Sequence, residues 1–248
     1  MRAIHRLFIA VVRVLVSALF KVHVQGIEHV PPEGAVILAA NHINSSDAFI
    51  VWAIMPRDII AWSKAEIWGN PLLRVLANAM QLIPLRRGEL DLHAVRLALK
   101  ALAAGRALGV APEGTRSWHG RLQRGRPGLV FLAQRAPGTL VLPTAVFGQE
   151  LFGENARRLR RTSVQAVFGQ GFHLALPEGA VSRETRQEII DEVMAQIAAL
   201  LPPANRGVYA DLTAADERHL VFPPGTTSSL QRALKEESPS GVQGKQQR

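Results

Sequence analysis

A histidine and an aspartate, His42 and Asp47, stand in a polar stretch of the chain with four residues between them. A neutral imidazole takes a proton from a hydroxyl near pH 7, and a carboxylate on its other ring nitrogen fixes the tautomer and stabilises the imidazolium. The pair therefore fits a general base and its orienting group, and a substrate could supply the hydroxyl. The alternative is structural, with Asp47 capping a helix and His42 an ordinary loop residue.

The sequence around this pair predicts a strand, a polar loop and a helix. The apolar run 35–40 has strand length and follows a turn that contains Pro31 and Pro32, and the apolar run 48–55 fits a buried helix. Because α/β folds place reactive groups in loops at the ends of buried strands, we expect His42 to lie at such a position.

A second cluster, residues 112–117, follows the apolar strand predicted over 107–111. It combines an acid, a glycine and three side-chain donors, namely Glu113, Gly114, Thr115, Arg116 and Ser117. The glycine permits close approach of the backbone to an anion, the hydroxyls donate, and the arginine offers a bidentate fork. The segment predicts a phosphate cradle in which Glu113 orients an arginine or a substrate hydroxyl, although it lacks the pattern of a nucleotide P-loop.

Two arginines, Arg86 and Arg87, follow a short strand predicted over 82–85. At a strand end they could supply a second cation for the same anion, and the alternative is a solvated turn.

Composition bounds the class of protein. The chain has 248 residues, which suits one domain with extensions, and 48% of them are hydrophobic, which is enough for a core. It has no cysteine, which excludes disulfides, thiol catalysis and thiolate metal sites and fits a reducing compartment. The remaining histidines are scattered and no H-E-x-x-H motif occurs, so we expect no metal site.

The charge of +9 predicts anionic partners, because 24 of the 29 basic residues are arginine, whose planar fork suits phosphate oxygens. Nucleic acid, an anionic membrane and a phosphorylated substrate all fit this charge. A single tyrosine and an aromatic content of 6% argue against stacking of single strands, so we expect no nucleic-acid partner.

The first 21 residues predict a basic amphipathic helix. At 100° per residue its polar side chains cluster on one side, namely Arg2, Arg6, Arg13 and Ser17. The opposite side is apolar and consists of Ile4, Leu7, Phe8, Val11, Val14, Leu15 and Leu19. An arginine in the middle disfavours a spanning helix, so the segment is expected in the membrane interface. The alternative is a helix that packs on its own domain.

Strands alternate with helices from residue 20 to 200, which predicts an α/β fold with a mixed, mostly parallel sheet flanked by helices. We expect a membrane-interface helix over 1–22, a catalytic domain over 23–210 and a tail over 211–248. The pattern fades after Ala210, and the polar end of the tail is expected to be disordered.

Taken together, these motifs resemble the glycerolipid acyltransferase family. The resemblance rests on His42 to Asp47 preceded by Asn41, on a strand that ends at Arg86 and Arg87, on the complete E-G-T-R-S of 113–117, and on Pro143 in the strand 140–147. Order and spacing agree over about residues 24–200. The motif at Arg86 and Arg87 departs from the family pattern, which leaves open the arginine that binds phosphate.

The resemblance implies an O-acyltransferase of the 1-acylglycerol-3-phosphate type. His42 and Asp47 would be catalytic, and the substrate-binding residues would be Arg86, Arg87, Glu113, Gly114, Thr115, Arg116, Ser117 and Pro143. The partners would be a lysophospholipid acceptor, acyl-CoA or acyl-carrier protein as the acyl donor, and an anionic membrane surface. The protein would lie at the cytoplasmic face of the membrane, and the reaction would need no cofactor. Alternatives are another acceptor, such as a lyso-ornithine lipid, and a basic membrane or nucleic-acid binding module.

Overall fold

The structure is a computed structural model that describes residues 2–86, 91–177 and 179–238. The α-helices within these ranges are α1 (Arg2–Leu19), α2 (Ser46–Ile54), α3 (Pro71–Ala79), α4 (Leu92–Ala103), α5 (Gly128–Arg135), α6 (Phe152–Arg157), α7 (Arg183–Ala199) and α8 (Ser229–Glu237). The strands are β1 (Phe20–Gln25), β2 (Val36–Ala40), β3 (Ile59–Lys64), β4 (Ile83–Leu85), β5 (Ala107–Val110), β6 (Leu140–Phe147), β7 (Thr162–Phe168), β8 (His173–Leu174) and β9 (Leu220–Val221).

Among the described strands, seven form one sheet in the order β1-β7-β6-β2-β5-β3-β4, and β8 pairs with β9. Neighbours in the large sheet are parallel, except that β7 runs antiparallel to β6. The prediction of a mixed, mostly parallel sheet flanked by helices is confirmed. Because β2 and β5 are adjacent and parallel, the loops that follow them meet at the same edge of the sheet.

The central strand β2 is buried on both faces, because helices cover each face of the sheet. Ile37 and Ala39 point into a core shared with α4, α5 and α7. Val36 and Leu38 point the other way, into a core shared with α1 and α2. This alternation follows from the period of two along a strand, and it accounts for the uninterrupted apolar sequence.

Local capping signals set the helix boundaries. Asn70 accepts hydrogen bonds from the N–H groups of Leu72 and Leu73 and leaves Pro71 in the first turn of α3, where a missing N–H costs nothing. Ser182 caps α7 in the same way, as its hydroxyl accepts from the N–H of Thr185. Asp91 caps α4, as its carboxylate accepts from the N–H groups of His93 and Ala94, and residues 87–90 lie outside the described residues.

Helix α1 confirms the predicted N-terminal helix and rests on the domain through one side. Val12 and Val16 are buried, and His5 is buried with its ring bonded to the carbonyl of Ala79 and the carboxylate of Asp58. The other side leaves large apolar residues exposed, namely Leu7, Val11, Val14, Leu15 and Leu19. Among the residues that the structure describes, no helix is both long and apolar enough to cross a membrane.

The segment after Ala210 holds more regular structure than the sequence pattern indicates. It contributes β9 and then α8, whose Leu230 is buried against the core. Elements of two and nine residues are too short for periodicity to reveal. The polar end for which disorder is expected starts at Glu236, so its first two residues belong to α8, and residues 239–248 lie outside the described residues.

Candidate active site

The side chains of His42 and Asp47 meet. Nδ1 of His42 donates to Oδ2 of Asp47 over 2.9 Å, and the same oxygen accepts the backbone N–H groups of Ile43 and Asn44. Asp47 lies in the first turn of α2, after the N-cap residue Ser45, and its carboxylate turns back to the loop. Asp47 is therefore not the helix cap, and its carboxylate fixes the His42 tautomer that carries the proton on Nδ1.

The open ring nitrogen of His42 is free to act on a substrate. Within the described residues, no group hydrogen-bonds Nε2, and the side chain is 23% exposed. The loop that carries His42 is anchored by Asn41, whose buried amide exchanges two hydrogen bonds of 2.8 Å with the backbone of Val146 in β6. A base with one nitrogen fixed and the other open is the arrangement that proton abstraction requires.

Gln149, which the sequence analysis did not single out, holds the second oxygen of the buried Asp47. Its Nε2 donates to Oδ1 of Asp47 over 2.7 Å and to the carbonyl of Val146 over 3.2 Å. Gln149 is fully buried, and its Oε1 has no hydrogen-bond partner in the described part of the chain. The signal in the sequence was its place two residues beyond β6, at the edge where β2 also ends.

Glu113 supports the loop that carries His42. Its Oε1 accepts the backbone N–H of His42 over 2.8 Å, and its Oε2 accepts that of Gln123 over 2.9 Å. Burial raises the pKa of the Glu113 carboxyl, and these two N–H groups act against that rise by stabilising the charge. The predicted partner of Glu113 was an arginine or a substrate hydroxyl, whereas its observed contacts position the backbone of the loop that carries His42.

The loop after β5 is tied along its length to the His42 loop. The N–H of Ser117 donates to the carbonyl of His42 over 2.8 Å, and the N–H of Trp118 donates to that of Ile43 over 3.0 Å. The guanidinium of Arg116 donates to the hydroxyl of Ser45 over 2.7 Å and lies 4.3 Å from the ring centre of Trp118. The structure thus brings Arg116 and Ser117 beside the loop that carries His42.

Gly114 and Thr115 lie between this loop and a neighbouring cleft. Gly114 has φ +71°, and a side chain there would come within 2.9 Å of the Arg126 side chain. Thr115 and Glu113 line a cleft of about 850 Å³ that reaches the start of α7. The cleft gives a ligand room beside the predicted cradle, and its other walls carry both cations and acids, including Arg124, Arg126, Arg183 and Glu184.

Two of the remaining predicted residues, Arg86 and Pro143, lie apart from this cluster. Arg86 is exposed after β4, two strands away from β5, where its N–H donates to Asp91. Arg87 lies outside the described residues. Pro143 is buried inside β6, where its carbonyl accepts the N–H of Gly169. The substrate-binding roles of all three stay predictions.

The fold and these motifs define an acyltransferase, and the comparisons agree. The model of the Acyltransferase family matches residues 21–147, and the chain belongs to this family. A curated relative, the 1-acyl-sn-glycerol-3-phosphate acyltransferase of Borreliella burgdorferi, is 27% identical over 134 residues, which are 53% of each chain. The chain thus matches about half the length of that relative.

A solved structure shares the fold. The crystal structure of the 1-acyl-sn-glycerophosphate (LPA) acyltransferase PlsC from Thermotoga maritima superposes with a TM-score of 0.59, at 22% identity and 76% coverage of both chains.

Within the described residues, no three histidine or acidic side chains come together as a metal site would require.

The Gln149 contact predicts a catalytic effect. We expect Gln149→Met, which keeps the volume and removes the amide, to lower kcat roughly tenfold, because a hydrogen bond to a buried charge is lost. The acceptor KM should stay near its normal value. A lower melting temperature with an unchanged kcat would assign Gln149 a purely structural role.

Proposed function

We propose that the chain transfers a fatty acyl group from an acyl thioester to the free hydroxyl of 1-acylglycerol-3-phosphate, forming phosphatidate for phospholipid synthesis. This proposal rests on the open Nε2 of His42. Asp47 holds the imidazole through Nδ1, and Arg116 donates a hydrogen bond to Ser45 of the same loop. A base beside a cation fits an acceptor that carries both a hydroxyl and a phosphate. The relative in Borreliella burgdorferi is named for the same acceptor.

The proposed reaction is direct transfer. Nε2 of His42 takes the proton of the acceptor hydroxyl while the hydroxyl oxygen attacks the carbonyl carbon of the thioester. Asp47 stabilises the imidazolium that forms. The carbon–sulfur bond then breaks, and the imidazolium returns its proton to the leaving thiolate. Acyl-CoA and acyl-carrier protein both supply the thioester that this reaction needs.

A covalent acyl-enzyme is not required. The chain has no cysteine, and within the described residues no serine hydroxyl bonds to Nε2 of His42. The nearby hydroxyls have other partners: Ser45 accepts from Arg116, and Ser46 donates to Asn44. A nucleophile activated by His42 would need to lie within hydrogen-bond reach of that nitrogen.

The acceptor phosphate is proposed to bind at Arg116, with Thr115 and Gly114 beside it and with Arg86 or Arg87 as a further cation. Within the described residues, Arg116 donates one side-chain hydrogen bond, to Ser45, and it is partly exposed, so the rest of its fork remains for a phosphate. Glu113 acts through the backbone of His42, and this contact replaces the acceptor contact that the sequence suggested.

The phosphate assignment predicts a defect in acceptor binding. We expect Arg116→Ala to raise the KM for lysophosphatidate roughly 10- to 100-fold, since charge-assisted hydrogen bonds to the phosphate are lost. Initial rates at varied acceptor and fixed donor measure this effect. Arg232→Ala, which removes an exposed arginine of α8, is the matched control and should leave both KM values unchanged. A rise confined to the KM of the acyl donor would contradict the assignment.

We also propose that the protein binds peripherally to the cytoplasmic face of a membrane through α1. Its exposed apolar residues, described above, cover one side of the helix, and α3 beside it exposes Leu72 and Val75. Exposed apolar surface of this extent on a helix favours the bilayer interface over water. The acceptor and product would then stay in the leaflet.

A panel of acceptors tests the substrate class. We expect acylation of lysophosphatidate, and much slower acylation of monoacylglycerol, which has the hydroxyl without the phosphate. Preference for a lyso-ornithine lipid would move the assignment within the family, because an arginine fork also fits a carboxylate. Salt-sensitive binding to nucleic acid with no acylation of any lyso-lipid would instead support a binding module.

A further inference from the structure

The segment Arg157–Arg161, here called the arginine loop, joins α6 to β7 and has the sequence Arg-Arg-Leu-Arg-Arg. Its centre, Leu159, closes the helix in a left-handed conformation, with φ +51°. The N–H of Leu159 bonds to the carbonyl of Ala156, and the N–H of Arg160 bonds to that of Asn155. This pattern is a Schellman ending, in which the left-handed position usually holds glycine.

Folding alone does not explain a leucine at this position. A side chain is strained in the left-handed region, and glycine would close the helix without that strain. Leu159 also gains nothing from burial, since it is 97% exposed. A single exposed leucine is common on protein surfaces, so it is the left-handed backbone of Leu159 together with the charges around it that points to a contact outside the chain.

Four arginines flank Leu159 in the sequence, two on each side. Arg158 pairs with Glu154 at 3.0 Å, and Arg161 donates two hydrogen bonds to the carbonyl of Phe20. In the described part of the chain, no group bonds to the side chains of Arg157 and Arg160, which are exposed. Leu159 between two unpaired arginines of the described chain complements a surface that has phosphate groups on the outside and hydrocarbon below them.

The topology places this loop at the edge of the sheet where His42 lies. Because β7 runs antiparallel to β6, its first residue, Thr162, lies near the end of β6 at Phe147. Strand β1 starts at the same edge, as Phe20 pairs with Thr162, and Phe20 follows directly on the exposed Leu19 of α1. The arginine loop is thus next to the end of α1 and on the catalytic side of the sheet.

We propose that the arginine loop is a second membrane contact, which inserts Leu159 among the headgroups of anionic phospholipids while Arg157 and Arg160 bind their phosphates. This inference rests on the proposed membrane location and extends it from α1 to the catalytic edge. Anionic bilayers attract basic residues at their surface, and an apolar side chain between those residues adds insertion. Nucleic acid offers the phosphates but no apolar layer for Leu159.

Cosedimentation of the full-length protein with phosphatidylcholine vesicles, with and without phosphatidylglycerol, tests this proposal. We expect Leu159→Gly to weaken binding to the anionic vesicles roughly 3- to 10-fold, as the insertion of one leucine is lost. Its melting temperature should equal or exceed that of the wild type, because glycine is preferred at the left-handed position. A loss of binding with an intact or more stable fold separates lipid contact from a structural role.

The charge is tested in parallel. Arg157→Gln/Arg160→Gln should weaken binding roughly tenfold on vesicles with phosphatidylglycerol and leave binding to pure phosphatidylcholine unchanged. The matched control for charge is Arg96→Gln/Arg232→Gln, which removes two arginines from α4 and α8. The control for the apolar side chain is Val221→Ala, which shortens an exposed residue of β9. Strand β9 pairs with β8, and β8 follows the end of β7 that lies opposite to the arginine loop. Both controls should bind as the wild type does.

Three results would overturn the proposal: wild-type binding by both loop variants, equal losses on neutral and anionic vesicles, or equal losses in the controls. Release of the wild type from vesicles by duplex DNA at matched phosphate concentration would also overturn it in favour of nucleic acid. Acylation of lysophosphatidate in neutral detergent is measured separately. Absence of that activity in the wild type would refute the proposed reaction, but the vesicle binding data would still test the membrane contact independently.

Discussion

We expect His42→Ala to lower kcat by about 10²–10⁴-fold, the usual contribution of a positioned general base. The imidazole is held on Asp47 through Nδ1, and Nε2 is the nitrogen left for the acceptor hydroxyl. Alanine removes this proton acceptor without touching Arg116 or its bond to Ser45, so the acceptor KM should change little. Steady-state rates at saturating donor and varied acceptor measure both quantities.

The control for this variant is His173→Ala, which removes an exposed histidine of β8. It should retain normal kcat. Near-normal turnover of His42→Ala would contradict the assignment of the base, and an equal loss in both variants would point to a general effect of histidine removal on the fold.

We expect Asp47→Ala to produce a loss in the same range as His42→Ala, again about 10²–10⁴-fold in kcat. This carboxylate accepts hydrogen bonds from His42, Ile43, Asn44 and Gln149, and all four bonds would be lost. Gln149 alone would keep a second acceptor, the carbonyl of Val146. The imidazole would lose its fixed orientation and the charge that stabilises its protonated form. The unsatisfied buried donors should also lower the free energy of unfolding.

Asp47→Asn separates charge from geometry. Its amide oxygen can take the place of Oδ2, and the Gln149 amide can turn over so that its Oε1 accepts the new N–H, at the cost of its bond to the carbonyl of Val146. The tautomer of His42 is then retained and the charge is lost, so we expect a smaller decrease in kcat, roughly 10- to 100-fold. A decrease as large as that of Asp47→Ala, at unchanged stability, would show that charge alone accounts for the role of Asp47.

The parts of the site that lie close together along the chain could be predicted from the sequence. The apolar run before Asn41, the polar loop and the helix after it indicated a strand end, and the residues from Glu113 to Ser117 follow a second run of the same kind. Parallel strands bring such loops to one edge of the sheet, and the structure shows the two loops in contact there. The alternation of strands and helices likewise predicted the sheet and its covering.

The contacts between distant segments could not be predicted in this way. Gln149 lies 102 residues beyond Asp47, and a buried glutamine carries no periodic signal of its own. The role of Glu113 depends on two backbone N–H groups, one of which belongs to a residue 71 positions away. The direction of β7 depends on its pairing with β6, and the exposure of Leu159 depends on where that strand begins. Such features follow from the assembled sheet.

The most direct test of the central claim is acyl transfer from labelled acyl-CoA and acyl-carrier protein to lysophosphatidate in detergent, with the wild type and His42→Ala side by side. Labelled phosphatidate formed by the wild type, with at least a hundredfold slower formation by His42→Ala, is the result that we predict. Formation of equal amounts by both proteins would contradict the catalytic role of His42. Absence of product from the wild type with both donors would contradict the proposed reaction.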